Sequence, residues 1–259
     1  MIEQEQAADR AASLAAIASE VRRCTNCRLH ETRTLAVPGE GSPDTEVVFV
    51  GEGPGFNEDR QGRPFVGRAG ALLGRFLGSL GWRREDVFIT NIVKCRPPDN
   101  RDPEPDEIAA CAPYLRRQLE VLDPALVVTL GRHSLGRFMP GARISQAHGT
   151  LRPVDPTTGA AHALAFALYH PAAALRATEI ERTSYEDVAR IPVALIEART
   201  QRQAAPAAAE PLTAATSAAT STASSGPMPA ADPAPDTITE PMFLAATDPV
   251  APDDQLTLF

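Results

Sequence analysis

The sequence has little lysine, tryptophan or cysteine, and it lacks long apolar runs. One lysine stands against 24 arginines, and the chain holds one tryptophan and four cysteines. No run of 18 apolar residues occurs, so we expect no membrane-spanning segment. The first residues, "MIEQEQAADR", also lack the apolar core of a signal peptide. We therefore expect a protein of the reducing cytoplasm, where cysteines are usually ligands, nucleophiles or buried apolar residues rather than disulfides.

Basic residues are absent from the end of the chain. All 25 Lys and Arg lie in residues 1–203 together with 26 Asp and Glu, whereas residues 204–259 carry seven acids. The net charge of −8 therefore comes mostly from the last part of the chain. The arginines in residues 1–203 are compatible with a local basic face for nucleic acid, but an ordinary solvated surface gives the same pattern. Charge alone does not decide between them.

The last part of the chain also lacks apolar periodicity. Residues 204–259 consist mainly of Ala, Pro, Thr and Ser. Such a composition buries too little apolar surface to offset a chain entropy of roughly 1–2 kcal/mol per residue. We therefore predict an ordered domain at 1–203 and a disordered tail at 204–259.

Residues 1–203 alternate between short apolar segments and helical patterns. The apolar segments, which we predict to be strands, are 46–51, 87–93, 125–131 and 163–170. Helices are predicted at about 4–22, 67–80, 104–122 and 182–201, with a short one from Gly131. Strands that are apolar throughout are typical of parallel sheets covered on both faces. The pattern predicts an α/β protein, a three-layer α/β/α sandwich with a four-stranded parallel sheet.

Three predicted strands end in polar residues that could form a site. Glu52 follows the first strand, Asn91 lies near the end of the second, and His170 ends the fourth. The carboxyl ends of parallel strands meet at one edge of the sheet. Each residue also has an ordinary structural explanation. The "GEGPG" turn could be a dinucleotide loop, Asn91 a turn residue and His170 a structural histidine. Their joint position favours a functional crevice.

The four cysteines are the second candidate site. Cys24 and Cys27 form a C-x2-C pair, Cys95 follows the second strand, and Cys111 lies in the third predicted helix. A redox dithiol would leave Cys95 and Cys111 unexplained, and those two could simply be buried apolar residues. A site of four thiolates uses all of them. The spacing suits zinc and an iron–sulfur cluster equally.

Four stretches resemble the family 4 uracil-DNA glycosylases, the iron–sulfur branch of the uracil-DNA glycosylase superfamily. They are "CTNCRLHETRT", "VFVGEGPGFNEDRQGRPFVGRAGALL", "FITNIVKCRPPDNRDPEPDEIAAC" and "HPAAALR", and the resemblance extends from about residue 15 to 202. A related branch that binds uracil-DNA covalently carries a basic, histidine-containing insert, which we do not find between Cys95 and Cys111. The resemblance implies a [4Fe–4S] cluster on Cys24, Cys27, Cys95 and Cys111.

The resemblance also implies a reaction, the removal of uracil from DNA by hydrolysis of its N-glycosidic bond. Phe65 would stack on the flipped uracil, Asn91 and the backbone at Gly53 would pair with it, and His170 would stabilise the leaving anion. Either Glu52 or Glu58 would activate water, with Glu52 preferred. Arg96, Arg101 and Arg176 would bind phosphates.

We expect a monomer in the bacterial cytoplasm, associated with the nucleoid. The alternative is a non-catalytic iron–sulfur regulator that binds nucleotides or DNA.

The chain closes with "DDQLTLF", in which three large apolar residues end a polar tail. The last five residues, 255–259, resemble the pentapeptide by which bacterial replication and repair proteins bind the β sliding clamp. Its binding residues would be Gln255, Leu256, Leu258 and Phe259. An accidental apolar terminus is the other explanation. The resemblance predicts a clamp-binding motif on a flexible tether.

Overall fold

A mostly parallel sheet forms the centre of the protein. The computed structural model describes residues 2–204, so the predicted tail, with Gln255, Leu256, Leu258 and Phe259, lies outside the described residues beyond Ala204. The six strands are β1 (Glu40–Gly41), β2 (Val47–Gly51), β3 (Phe88–Asn91), β4 (Leu126–Leu130), β5 (Leu151–Pro153) and β6 (Leu164–Leu168).

The strand order is β1-β3-β2-β4-β6-β5. The four central strands pair in parallel, whereas β1 and β5 pair antiparallel to the outer ones. The predicted four-stranded parallel sheet is therefore confirmed as the centre of a wider sheet. The two edge strands were not predicted, because segments of two and three residues are too short to show a periodicity of two.

Helices cover both faces of the sheet. They are α1 (Ile2–Arg23), α2 (Leu29–Thr32), α3 (Phe56–Gln61), α4 (Arg68–Ser79), α5 (Pro105–Leu122), α6 (Arg132–Phe138), α7 (Ile144–Ala147), α8 (Pro171–Ala174), α9 (Thr178–Val188) and α10 (Ile191–Ala204). In the described part of the chain, none of them is long and apolar enough to cross a membrane.

Alternate residues of the central strands pack against different helices. In β2, Val47 and Phe49 join a core with residues of α4, α9 and α10, whereas Val48 and Val50 join a second core with residues of α5 and α6. Side chains of a strand alternate between the two faces of its sheet, so each face has its own apolar layer. The predicted three-layer sandwich is confirmed.

One predicted helix is two helices. The sequence pattern predicts a single helix over 182–201, but α9 ends at Val188 and α10 begins at Ile191. Pro192 has no N–H to donate to the carbonyl of Val188, so a continuous helix would lose a hydrogen bond there. The chain turns at Ala189 and Arg190 instead.

Candidate active site

A crevice of about 460 Å³ lies at the carboxyl ends of the parallel strands. It is lined by most of the residues that the sequence predicts as functional: Glu52, Gly53, Glu58, Phe65, Asn91, Arg101, His170 and Arg176. Asp102 and Arg132 also line it. The position agrees with the rule that sites of open parallel sheets lie beyond the carboxyl ends of the strands.

Asn91, the last residue of β3, lies on the floor of this crevice. Its side chain is 1% exposed, and its Oδ1 has no hydrogen-bond partner among residues 2–204. A Cβ at the neighbouring Gly51 would collide with Asn91 Oδ1 and with the ring of Phe65, so glycine is needed there. A buried polar atom without a partner costs about 1–3 kcal/mol, which is repaid when a ligand supplies the partner.

Phe65 lines the crevice from a left-handed turn with a φ of 51°. Two residues hold this turn. Glu58 Oε1 accepts hydrogen bonds from the N–H groups of Val66 and Gly67, each 2.8 Å long, and Arg84 donates to the carbonyl of Phe65 at 3.0 Å. A left-handed non-glycine residue costs about 1–3 kcal/mol, so these bonds stabilise a position that the backbone alone disfavours. One carboxylate oxygen of Glu58 is therefore committed to positioning the ring.

His170 is the N-terminal cap of α8, and its ring centroid lies 5.8 Å from that of Phe65. Its Nδ1 accepts a hydrogen bond of 3.1 Å from the N–H of Ala172, so the proton of the neutral ring is on Nε2. The pKa of His170 is lowered to about 4, chiefly by burial and in smaller part by the positive charge of Arg176. The backbone of Gly131, with a φ of 87°, lies so close to His170 that a Cβ would strike it. His170 is thus a fixed, neutral hydrogen-bond donor.

Glu52, which follows β2, lies beside three charged or titratable residues. Its Oε2 lies 3.7 Å from Nε2 of His133. The same Nε2 lies 3.2 Å from Oδ1 of Asp102, but the angle of that contact is too poor for a hydrogen bond. Asp102 also pairs with Arg132. The pKa of Glu52 is raised, chiefly because the carboxyl is buried. Among its neighbours, His133 and Arg132 lower this pKa, whereas Asp102 raises it. A carboxylate with a raised pKa in a crevice is suited to accept a proton.

Sequence reasoning missed Asp102, Arg132 and His133 as neighbours of Glu52. Arg132 and His133 begin the helix that follows β4, so the rule used for the other three strands would have found them. The ligand atoms of Glu52, Asp102 and His133 lie within 4.8 Å of one another, a spacing that would also suit a divalent cation. The pairing of Arg132 with Asp102 supplies positive charge there already.

The three arginines predicted to bind phosphates differ in how firmly other residues of the protein hold their side chains. Arg176 is exposed, and no acidic partner contacts its side chain in the described chain. Arg96 donates from Nε to Asn100 at 2.8 Å. Arg101 is held by two bonds, of 2.9 and 2.6 Å, to the buried carboxylate of Glu107. The pKa of this carboxyl is lowered to about 2, chiefly by Arg101. Arg101 therefore fixes the loop before α5, while Arg96 and Arg176 keep guanidinium groups accessible to a ligand.

The four cysteines line one cavity, separate from the crevice. Cys24, Cys27, Cys95 and Cys111 are all free thiols. They come from the end of α1, the loop before α2, the segment after β3, and α5. Elements far apart in the sequence thus bring four soft ligands together, which is the arrangement of a thiolate-bound metal centre.

Hydrogen-bond donors point at the sulfur atoms. The N–H of Asn26 lies 3.5 Å from Cys24 Sγ, and Arg33 Nη1 lies 3.0 Å from Cys95 Sγ. Donors in these positions stabilise thiolates, which are the metal-binding form. Burial raises the pKa of the Cys111 thiol to about 12, so without a metal this group stays protonated at neutral pH. Metal binding must therefore displace a proton. The residues present fit an iron–sulfur or zinc centre.

Lys94 connects the cysteine cavity to the crevice. It is 1% exposed, and its Nζ donates to Thr90 Oγ1 at 2.6 Å, the Asn91 carbonyl at 2.8 Å and Gln118 Oε1 at 2.7 Å. Its backbone N–H donates to Cys111 Sγ at 3.2 Å. Burial lowers the pKa of the Lys94 ammonium to about 8. One residue therefore contacts both Cys111 and the backbone that carries Asn91.

Residues 38–190, which include all six strands and the whole crevice, match the family model of the uracil DNA glycosylase superfamily. The chain belongs to this superfamily. It is 49% identical over 183 residues to the type-4 uracil-DNA glycosylase of Saccharolobus solfataricus, which covers 69% of this chain and 85% of that protein. It is 46% identical to the type-4 enzymes of Sulfurisphaera tokodaii and Thermotoga maritima, over 69% and 66% of this chain and 83% and 89% of theirs.

Membership of the uracil DNA glycosylase superfamily confirms the family that the sequence motifs predict. The α/β/α architecture agrees with it as well.

Proposed function

We propose that this chain hydrolyses the N-glycosidic bond of uracil in DNA and leaves an abasic site, a step of base excision repair. One observation carries the proposal: a buried amide oxygen, Asn91 Oδ1, has no partner in the described chain and faces a crevice that also holds Phe65 and His170. The similarity to proteins named type-4 uracil-DNA glycosylases supports it.

The target base leaves the DNA stack and enters the crevice. Phe65 stacks on its ring. Asn91 Oδ1 accepts from uracil N3–H, and the amide NH₂ of Asn91 donates to uracil O4. Cytosine has an acceptor at N3 and a donor at C4, so it would leave the buried amide unpaired at a cost of about 1–3 kcal/mol. The backbone at Gly53 donates to a uracil oxygen, and Glu58 forms the wall that crowds the methyl group of thymine.

Cleavage moves the electron pair of the glycosidic bond onto uracil and leaves positive charge on the sugar. Nε2–H of His170 donates to uracil O2 and stabilises the anion as it forms. Water attacks C1′ from the other side of the sugar, and Glu52 accepts the proton of that water. Glu52 fits this role better than Glu58, because an oxygen of Glu58 already holds the Phe65 turn.

Arg96 and Arg176 bind phosphates on either side of the flipped nucleotide. Arg101 supports the loop before α5. Cys24, Cys27, Cys95 and Cys111 would hold a [4Fe–4S] cluster. Hydrolysis needs no electron transfer, so the cluster would serve to cross-link distant parts of the chain. We propose a structural role for it.

The proposed activity is tested by incubating the full-length protein with a uracil-containing oligonucleotide and then with alkali, which breaks DNA at abasic sites. We expect a break at uracil and none in a control strand with thymine at that position. If the uracil strand remains intact while the protein still binds it, the chain is a non-catalytic DNA-binding regulator.

Two variants are expected to move the pH dependence of the reaction in opposite directions. A base works when deprotonated, so the rate falls as the pH decreases through the raised pKa of Glu52. His133→Ala removes a neighbour that lowers this pKa, and the fall should move to higher pH. Asp102→Asn removes a like charge that raises the pKa, and the fall should move to lower pH.

The measurement is the single-turnover rate from pH 4 to 9 for the wild type and both variants. Glu52→Gln is the control, since it should be slow and should lack this fall. Shifts in the same direction for His133→Ala and Asp102→Asn would show that Glu52 does not govern the pH profile.

We also propose that the C-terminal residues Gln255, Leu256, Leu258 and Phe259 bind the bacterial β sliding clamp. Glutamine supplies an orienting hydrogen bond, and the leucines and phenylalanine fill an apolar pocket. The sequence places about fifty Ala-, Pro-, Thr- and Ser-rich residues between this motif and the catalytic domain. A random-coil chain of that length has an end-to-end distance of roughly 40 Å, which is enough for the catalytic domain to reach DNA near the clamp.

The C-terminal peptide should bind the clamp with a micromolar dissociation constant, measured by fluorescence anisotropy. Leu258 and Phe259 supply most of the apolar contact, so changing both to Ala should abolish binding. Deleting residues 204–259 should leave cleavage of a short oligonucleotide unchanged. Equal clamp binding by the intact protein and the double variant, or binding by neither, would exclude the motif.

A further inference from the structure

Helix α3 turns its acidic residues inward. Glu58 binds the Val66 and Gly67 amides, and Asp59, which is 3% exposed, accepts from the N–H of Thr34 at 2.9 and 3.1 Å. Both carboxylates are therefore occupied by backbone donors. The outward face of α3 consists of Phe56, Asn57, Arg60 and Gln61, all of which are exposed. Although α3 contains two acidic residues, its exposed face thus presents an aromatic ring and a positive charge.

Phe56 is the aromatic member of the exposed large apolar side chains in residues 2–204, with 52% of its surface accessible. Two guanidinium groups lie over its ring. The Cζ atoms of Arg60 and Arg96 are 5.6 and 5.3 Å from the ring centroid, within the range of cation–π attraction. Arg96 is held in this position by its bond to Asn100. The exposed ring is therefore held in place at the surface.

This group of Phe56, Arg60 and Arg96, which we call the aromatic rim, is continuous with the crevice. Pro54 and Gly55, directly before Phe56 in the chain, line the crevice, and so does Pro97, directly after Arg96. The aromatic rim is also distinct from Phe65, which lies inside the crevice and is 6% exposed. A DNA strand with one nucleotide in the crevice must pass over its rim.

We propose that Phe56 stacks on an unpaired nucleobase next to the flipped uracil, while Arg60 and Arg96 bind the phosphates on either side of that base; this rests on the proposed function. The chemistry of the partner matches that of the aromatic rim. Each nucleotide carries a flat apolar face beside a negative charge, and proteins that bind single strands combine aromatic rings with basic residues in this way. Phe56 contacts the flat face of the partner base and not its hydrogen-bonding edge, so the contact does not depend on which base the DNA carries there.

Four variants of the full-length protein test the proposal. Phe56→Ala and Phe56→Leu remove the aromatic face, the second with less loss of apolar surface, whereas Phe56→Trp keeps it. Ile196→Ala is the matched control, because Ile196 is also an exposed apolar residue, 60% accessible, but lies on α10 and does not line the crevice. The readouts are the enzyme concentration for half-maximal rate and the maximal single-turnover rate on a uracil oligonucleotide.

Loss of one stacked base is expected to raise the half-maximal concentration roughly 5- to 100-fold for Phe56→Ala and Phe56→Leu. The maximal rate should change little, because Phe56 does not contact the reacting atoms. Phe56→Trp and Ile196→Ala should behave as the wild type. Equal weakening by Phe56→Trp, or no weakening by Phe56→Ala in a protein that cleaves normally, would overturn the proposal. A wild type that does not cleave would instead count against the proposed function.

The partner base can be located by substrate scanning. Each nucleotide near the uracil is replaced in turn by an abasic analogue, and binding is measured for the wild type and for Phe56→Ala. Wild-type binding should weaken at one position, and Phe56→Ala should lose nothing more at that position, since the same contact is removed from both sides. Independent losses at every position would mean that Phe56 contacts no base.

Discussion

Alanine in place of His170 is expected to slow uracil removal by roughly a hundredfold to a thousandfold, the usual effect of removing one donor to a developing anion. The bond from the Ala172 N–H to Nδ1 fixes both the orientation of the ring and the position of its proton. The lowered pKa, about 4, keeps the ring neutral at physiological pH. The donor is therefore in place before the substrate binds, and its loss affects the rate rather than DNA binding.

His170 also caps α8, so the alanine variant needs a control for folding. His170→Asn keeps an acceptor for the Ala172 N–H, because asparagine is a good helix cap, but places no donor at the position of Nε2. Its thermal unfolding should match the wild type and its rate should be as low as that of His170→Ala. Asn91→Ala should be slowed to a similar degree, because it removes the group that reads the base. If His170→Asn and Asn91→Ala retain most of the wild-type rate, the site is wrong.

We expect the proposed cluster to give the purified protein a brown colour, through charge transfer between thiolate and iron. Serine in place of Cys95 or Cys111 should abolish that colour and destabilise the protein. The four cysteines lie after α1, before α2, after β3 and in α5, so loss of a cluster held by them would release the N-terminal segment. Binding of structural metals contributes directly to folding, on the order of 10 kcal/mol in small domains, so loss of several kcal/mol is expected here.

Visible absorbance, iron content and thermal unfolding measure this result. Tyr114→Phe is a suitable control, because Tyr114 lines the same cavity but is not a thiolate ligand, and it should keep the colour. A colourless wild-type protein that contains zinc and is fully active would contradict the iron–sulfur assignment.

Much of the fold could be predicted because the central strands are apolar on both faces. Residues 47–51, 126–130 and 164–168 are buried throughout and produce continuous apolar runs. The edge strands could not be predicted, since β1 and β5 exist through pairing with distant residues and leave no local pattern. The break between α9 and α10 was predictable in principle from Pro192.

The candidate site, like the fold, could be predicted only in part. Glu52, Asn91 and His170 could be placed together because each lies at the carboxyl end of a strand of one parallel sheet. The neighbours that set the pKa of Glu52 could not, because Asp102 reaches it from a loop whose path depends on the Arg101–Glu107 pair and on Arg132. Likewise, nothing in the order of residues 56–61 indicates that the two acids face inward.

The burial of Lys94 has a consequence for the chemistry of the protein surface. As the chain has no other lysine, the folded domain offers no exposed primary amine on a side chain. Amine-reactive labels, acetylating agents and aldehyde cross-linkers should modify the α-amino group and leave the domain otherwise untouched. Labelling of Lys94 would then report only those molecules that have opened, which makes this single residue a built-in probe of unfolding next to the cysteine cavity.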